Sequence, residues 1–133
     1  MHLLDTSIIL ELLLDQVKAD EVERFLRNTS TEDLHLSEFT LYSLGIVLVR
    51  RKLHDTFLRS VEDLLVTGGI RLVRLGVKDI QDIVHAARRF NLDFDDAYQY
   101  VAAEKYNLTL VSFDSDFDST ERGRKTPAEI IGG

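Results

Sequence analysis

Short apolar runs alternate with longer helical stretches along this chain, and that alternation leaves few folds open. Leu3-Leu4 is a brief apolar start, closed by Asp5-Thr6-Ser7. Helices are expected over Ile8 to Leu14, with Leu10, Leu13 and Leu14 on one face, and over Asp20 to Arg27, where Val22, Phe25 and Leu26 fall at helical spacing. Leu34-His35-Leu36 is a short strand, and Ser37 is a good N-cap for a long helix from Glu38 to Lys52. A further helix from about His54 to Val66 stops at Gly68-Gly69. Ile70 to Leu75 alternates as a strand does, Val77 to Phe90 is helical, and a helix from about Asp95 to Tyr106 precedes the β-like run Leu108 to Ser112. Asp114 to Gly123 is expected as a polar loop, and a short tail strand is expected near Pro127 to Ile131.

Strands that alternate with helices join by right-handed crossovers into a parallel sheet covered by helices. The expectation is an α/β fold built as a three-layer α/β/α sandwich, with a short, mostly parallel central sheet. With 133 residues and no linker-like stretch, one domain over residues 1–133 is expected, large enough to bury a core without staples. Cysteine is absent, which excludes disulfides, a thiolate nucleophile and a cysteine zinc site. Lys plus Arg is 16 against 23 for Asp plus Glu, a net charge of −7 that excludes coating nucleic acid by bulk positive charge. No run approaches the ~20 apolar residues of a membrane helix and no secretory signal is visible, so a soluble cytoplasmic protein is expected.

In such sheets ligands bind beyond the carboxyl ends of the strands, and the residues there are mostly acids. Asp5 follows the first strand, Glu38 the second and Asp114 the last, while Asp93, Asp95 and Asp96 open the preceding helix at the same edge. Each has a bland explanation: Asp5 and Asp95 or Asp96 as N-caps, Glu38 as a first-turn acid, Asp114 as a loop acid. Their conjunction is harder to explain that way. Converging carboxylates repel one another and force some to protonate. A divalent cation removes that penalty, and an all-oxygen ligand set suits Mg²⁺ or Mn²⁺ better than zinc. Such a site suits phosphodiester cleavage.

Four pieces in order carry a resemblance. They are Asp5-Thr6-Ser7 after the first strand; Ser37-Glu38 opening a helix; Leu92-Asp93-Phe94-Asp95-Asp96-Ala97 before a helix containing Ala102-Ala103; and Leu110-Val111-Ser112-Phe113-Asp114-Ser115-Asp116-Phe117. Together they span essentially the whole chain, which resembles the PIN-domain nucleases and most closely the VapC-type toxins of prokaryotic type II toxin–antitoxin systems. The resemblance implies a PIN-like fold and a Mg²⁺- or Mn²⁺-dependent endoribonuclease. It implies Asp5, Glu38, Asp96 and Asp114 as the acidic quartet that holds the metal, with Asp116 as an extra ligand. Asp96 is preferred to Asp95 because the family's acid directly precedes a small residue, here Ala97. Ser7 stands where the family has a small polar residue that orients the first aspartate, beside Thr6, and Ser112 where the family often has threonine. An RNA substrate, an antitoxin partner and a homodimer are implied as well. The alternatives are a non-catalytic PIN-like interaction module, a solitary RNA-processing nuclease and, ranked last, a phosphoacceptor receiver domain.

Two other motifs fail on context. Asp116-Phe117-Asp118-Ser119-Thr120 spells a phosphatase-type DxDxT, but residues 121–133 are too few for the rest of that fold. The same acids begin like a calcium loop, yet Ser119 and Lys125 occupy its glycine and final-acid positions. Basic residues cluster at Arg50-Arg51-Lys52, Arg88-Arg89 and Arg122-Gly123-Arg124-Lys125. Arg122 and Arg124 are the better candidates for phosphate contact, because they follow Asp114 closely. The histidines, His2, His35, His54 and His85, have no ligand spacing. The helix from Glu38 is apolar on nearly all sides, which fits either a central position in the monomer or a dimer interface.

Overall fold

The computed structural model describes residues 1–132. Four short strands, β1 (His2–Leu4), β2 (Leu34–Ser37), β3 (Arg71–Val73) and β4 (Thr109–Val111), form a sheet in the order β3-β2-β1-β4. Every pairing in it is parallel, with His2 opposite Leu34 on one side and Thr109 on the other. Because side chains alternate along a strand, each strand feeds both faces. Leu3, Val73 and Leu110 enter one core with α5 (Ile80–Phe90) and α6 (Phe94–Tyr106). Leu4, Leu34, Leu36 and Val111 enter the other with α1 (Thr6–Leu13), α2 (Ala19–Arg27), α3 (Glu38–Arg50), α4 (His54–Val61) and α7 (Pro127–Ile131). The three-layer α/β/α sandwich expected from the alternation is the fold that forms.

Local chemistry fixes the helix ends. Ser37 caps α3, its Oγ accepting from the Thr40 amide at 3.0 Å. Asn91 and Asn107 close α5 and α6 in the left-handed region, at φ 54° and 53°, where a short polar side chain is tolerated. The predicted helix from His54 to Val66 divides into α4 and a π-helical turn over Glu62–Val66. At its exit a Cβ on Gly68 would lie 2.0 Å from the Asp63 carbonyl oxygen, and Gly69 has φ +84°.

The tail departs from expectation. Pro127 to Ile131 is helical rather than extended, because Thr126 and Glu129 form a reciprocal capping box around Pro127 at the first turn. The strand-like pairing lies just upstream, where Lys125 bridges Val111. The polar loop after β4 also contains a 3₁₀ turn, Ser115–Ser119, anchored by fully buried Phe117.

Candidate metal centre

The strand order reverses at β1, which has β2 on one side and β4 on the other. A crevice therefore opens beyond the carboxyl ends of β1 and β4. It is a cavity of about 390 Å³ lined on its polar side by Asp5, Thr6, Ser7, Asp95, Asp96, Gln99 and Asp114, and on its apolar side by Leu10, Phe39, Ile46 and Val47. Among the described residues no Lys or Arg lines it.

Asp5 occupies the N-cap position of α1, yet its carboxylate makes no capping bond. Oδ2 accepts from Ser7 Oγ at 2.9 Å and from Ser112 Oγ at 2.7 Å, and Oδ1 accepts from Gln99 Nε2 at 3.2 Å. Ser7 also receives the Phe113 amide and Ser112 the Asp114 amide, so the ends of β1 and β4 are tied through the hydroxyls that hold Asp5. Burial raises the Asp5 carboxyl above its ordinary range, against the lowering effect of these donors.

Asp96 lies in the first turn of α6 and is 9 % exposed. Burial first, then the neighbouring Asp114, Asp95 and Asp5 carboxylates, push it up to about 7. Asp96, Asp114 and Asp116 each bring one carboxylate oxygen within 4.8 Å of the others, and Asp93, Asp95 and Asp96 form a second such group. Asp5 belongs to neither triad and faces Asp96 across the same cavity. Asp114 is half-buried and orders its own loop, its Oδ1 accepting from the Asp116 amide at 2.9 Å. The donor set fits a hard divalent cation: anionic oxygens converge, no positive side chain answers them, and Asp96 is driven toward protonation.

Two groups of expected residues stand elsewhere. Glu38 does not join the acids of the cavity; its carboxylate pairs with Arg74, just past β3, at 3.3 Å. Arg74 draws it aside because it is the cation at the neighbouring strand end. Arg122 and Arg124 do not line the cavity either. After Asp114 the chain turns back and Lys125 pairs in parallel with β4, so residues just before it lie beside the start of that strand. Arg122 consequently donates to Asn107 Oδ1 and the Leu108 carbonyl, whereas the Arg124 guanidinium reaches the other end of β4 and donates to Asp118 and the Ser112 carbonyl.

Sequence reasoning missed Gln99 and Thr40. Thr40 Oγ1 lies 3.0 Å from Thr6 Oγ1 and accepts from Gln99 Nε2 at 2.6 Å, linking α1, α3 and α6 beneath Asp5. The available signal was a lone amide three residues after Asp96, in a helix whose neighbouring positions are small or apolar.

Solved structures share this fold. A toxin–antitoxin complex from Klebsiella pneumoniae is similar at 19 % identity and TM-score 0.76, covering 97 % of this chain and 99 % of that one. FitAcB from Neisseria gonorrhoeae is similar at 25 % identity and TM-score 0.73, covering 96 % and 98 %. VapC20 of Mycobacterium tuberculosis, a sarcin-ricin-loop-cleaving toxin, is similar at 16 % identity and TM-score 0.79, covering 92 % and 96 %. No curated protein sequence matches the chain. The PIN domain, as a family, matches residues 2–123, and the chain belongs to that family.

Proposed function

We propose that residues 1–133 form a single PIN domain working in the cytoplasm as a Mg²⁺- or Mn²⁺-dependent endoribonuclease, the toxin of a toxin–antitoxin pair. The observation that carries this reading is the acidic cavity at the strand-order switch, walled by Asp5, Asp96 and Asp114 without a positive side chain. The similar structures from Klebsiella and Neisseria support an antitoxin partner, and VapC20 supports RNA as the substrate class. Among the described residues no helix is long and apolar enough to cross a membrane.

Asp5, Asp96, Asp114 and Asp116 hold the cation in this reading. When bound, it supplies charge stabilisation at the scissile phosphate and a water of lowered pKa. The side chains do the rest. Ser7 and Ser112 fix the orientation of Asp5 by donating to Oδ2. Asp96, on the cavity wall beside Asp114, accepts a proton at its carboxylate as the attacking oxygen loses it. The apolar wall of Leu10, Phe39 and Val47 limits water on the other side. In a cleavage assay on single-stranded RNA, millimolar Mn²⁺ is expected to support scission and excess EDTA to abolish it. Cleavage that survives EDTA, or none at any Mn²⁺ concentration, refutes the reading.

A homodimer is part of the same proposal. Tyr42, Ile46 and Val49 on α3 are 60 %, 58 % and 45 % exposed and form one apolar groove with Phe57 of α4. A second copy laid on this face explains why so apolar a helix is left open to water. Sedimentation velocity is expected to show a dimer that Ile46→Asp converts to monomer. A wild-type monomer at tens of micromolar defeats it.

A further inference from the structure

Gln99 is 2 % exposed, and its amide is only half used. It stands three residues after Asp96, so both lie on the same face of α6. Nε2 donates to Asp5 Oδ1 at 3.2 Å and to Thr40 Oγ1 at 2.6 Å, which spends both of its hydrogens. The orientation of the amide follows from its partners, since Asp5 Oδ1 and Thr40 Oγ1 both accept from the NH₂ end. Oε1 is then left buried with no donor. Burying an acceptor without a partner is costly, and native proteins rarely leave one so. The neighbours on the cavity wall deepen the problem, since Asp5, Asp95, Asp96 and Asp114 are acceptors too. The Ser7 hydroxyl on that wall is already given to Asp5, and no donor of the chain meets Oε1.

We propose that Gln99 is a positioning residue of the acidic centre: its amide NH₂ fixes Asp5, and its free Oε1 accepts a hydrogen bond from the hydration shell of the divalent cation held there. A water whose lone pair is given to a cation has only hydrogens to offer, so it is the donor Oε1 lacks. One side chain thereby orients an anionic ligand and recognises the hydrated ion, as outer partners of metal sites do. The inference rests on the metal-dependent reading of this site and adds a residue that the acidic pattern does not contain.

The test uses the whole chain and Mn²⁺ as the probe, with Gln99→Leu, which keeps the volume and removes both polar ends. Calorimetry is expected to show Mn²⁺ binding weakened about tenfold. The metal-free melting temperature is expected to stay within a few degrees of wild type, because the orphaned oxygen leaves along with the lost bonds. In cleavage, kcat is expected to fall while KM for RNA stays within about twofold. Should Gln99→Leu fail to fold, Gln99→Asn serves instead; its amide is one methylene too short to reach Asp5 and Thr40 together, and the same loss of Mn²⁺ affinity is expected. Unchanged Mn²⁺ affinity in the folded variant overturns the proposal, as does a lowered melting temperature with affinity intact, which marks a purely structural peg. A wild-type chain that binds no Mn²⁺ removes the metal-dependent reading itself, and this proposal with it.

Discussion

Asp96→Asn is expected to lower Mn²⁺-supported RNA cleavage by about 10³-fold or more and, in the same protein, to raise the metal-free melting temperature. A thousandfold loss corresponds to about 4 kcal/mol of barrier, the scale of removing an anionic group that both binds the cation and moves a proton. The stability gain has an independent cause. Asp96 is buried among Asp114, Asp95 and Asp5, and the like charges together with desolvation push it up to about 7. Its ionised form is therefore a liability in the folded, metal-free chain. Asparagine has the same shape and no charge, and relief of about 1–2 kcal/mol raises the melting temperature by roughly 3–6 °C at pH 8. Scanning calorimetry beside a cleavage assay reads both effects. Full activity in folded Asp96→Asn ends the assignment of this residue. A lower melting temperature would show that Asp96 is a structural acid, satisfied as it stands.

Partners drawn from distant segments separate what is legible in this sequence from what is not. The sheet is legible, because apolar dipeptides bounded by helices have few other places to go, and Ser37 named the start of α3 by its chemistry. Asp5 and Asp114 lie where one rule about strand ends puts them, and Asp96 is singled out from Asp93 and Asp95 only by the family resemblance. Glu38 obeyed the same rule for position, but an ion pair with Arg74 decided where its side chain went, and pairing partners from distant segments leave no local mark. Arg122 and Arg124 are singled out in the sequence by counting residues from Asp114. The chain turns back after the Ser115–Ser119 turn, which carries Arg122 to the start of β4, while Arg124 stays beside Ser112 and is held there by its carbonyl and by Asp118. Gln99 was hidden for a related reason. A buried amide reads as a break in an apolar helix until the 94-residue gap between it and Asp5 is closed by folding. The tail failed on local chemistry instead, since Thr126-Pro127 with Glu129 is a helix start that the apolar pair Ile130-Ile131 masked.

The metal-free protein is expected to lose stability between pH 6.5 and 8, and Mn²⁺ is expected to restore it most strongly at the upper end. A carboxyl raised in the folded state holds a proton that the unfolded chain has released near pH 4. Its stabilising contribution is full below that point and is lost as pH climbs through the folded value, about 7 for Asp96. Asp5, raised by burial, acts in the same direction. The histidines act oppositely. His2 and His35 are lowered mainly by burial, so they contribute stability above their ordinary value near 6.5 and withdraw it as pH falls through their lower folded values. Their buried Nδ1 atoms have no partner to reward a proton. The two trends oppose each other below pH 6.5. Above it only the carboxylates change, by about 1 kcal/mol up to pH 8 for a single group titrating near 7. Mn²⁺ at a hundred times its dissociation constant adds about 2.7 kcal/mol to the folded state, and the ionised site binds it best, so the melting temperature with Mn²⁺ should rise or hold level where the metal-free one falls. Asp96→Asn should flatten the metal-free curve across this window. A wild-type metal-free curve that rises from pH 6.5 to 8 would mean that the acids of the cavity are already neutralised within the chain.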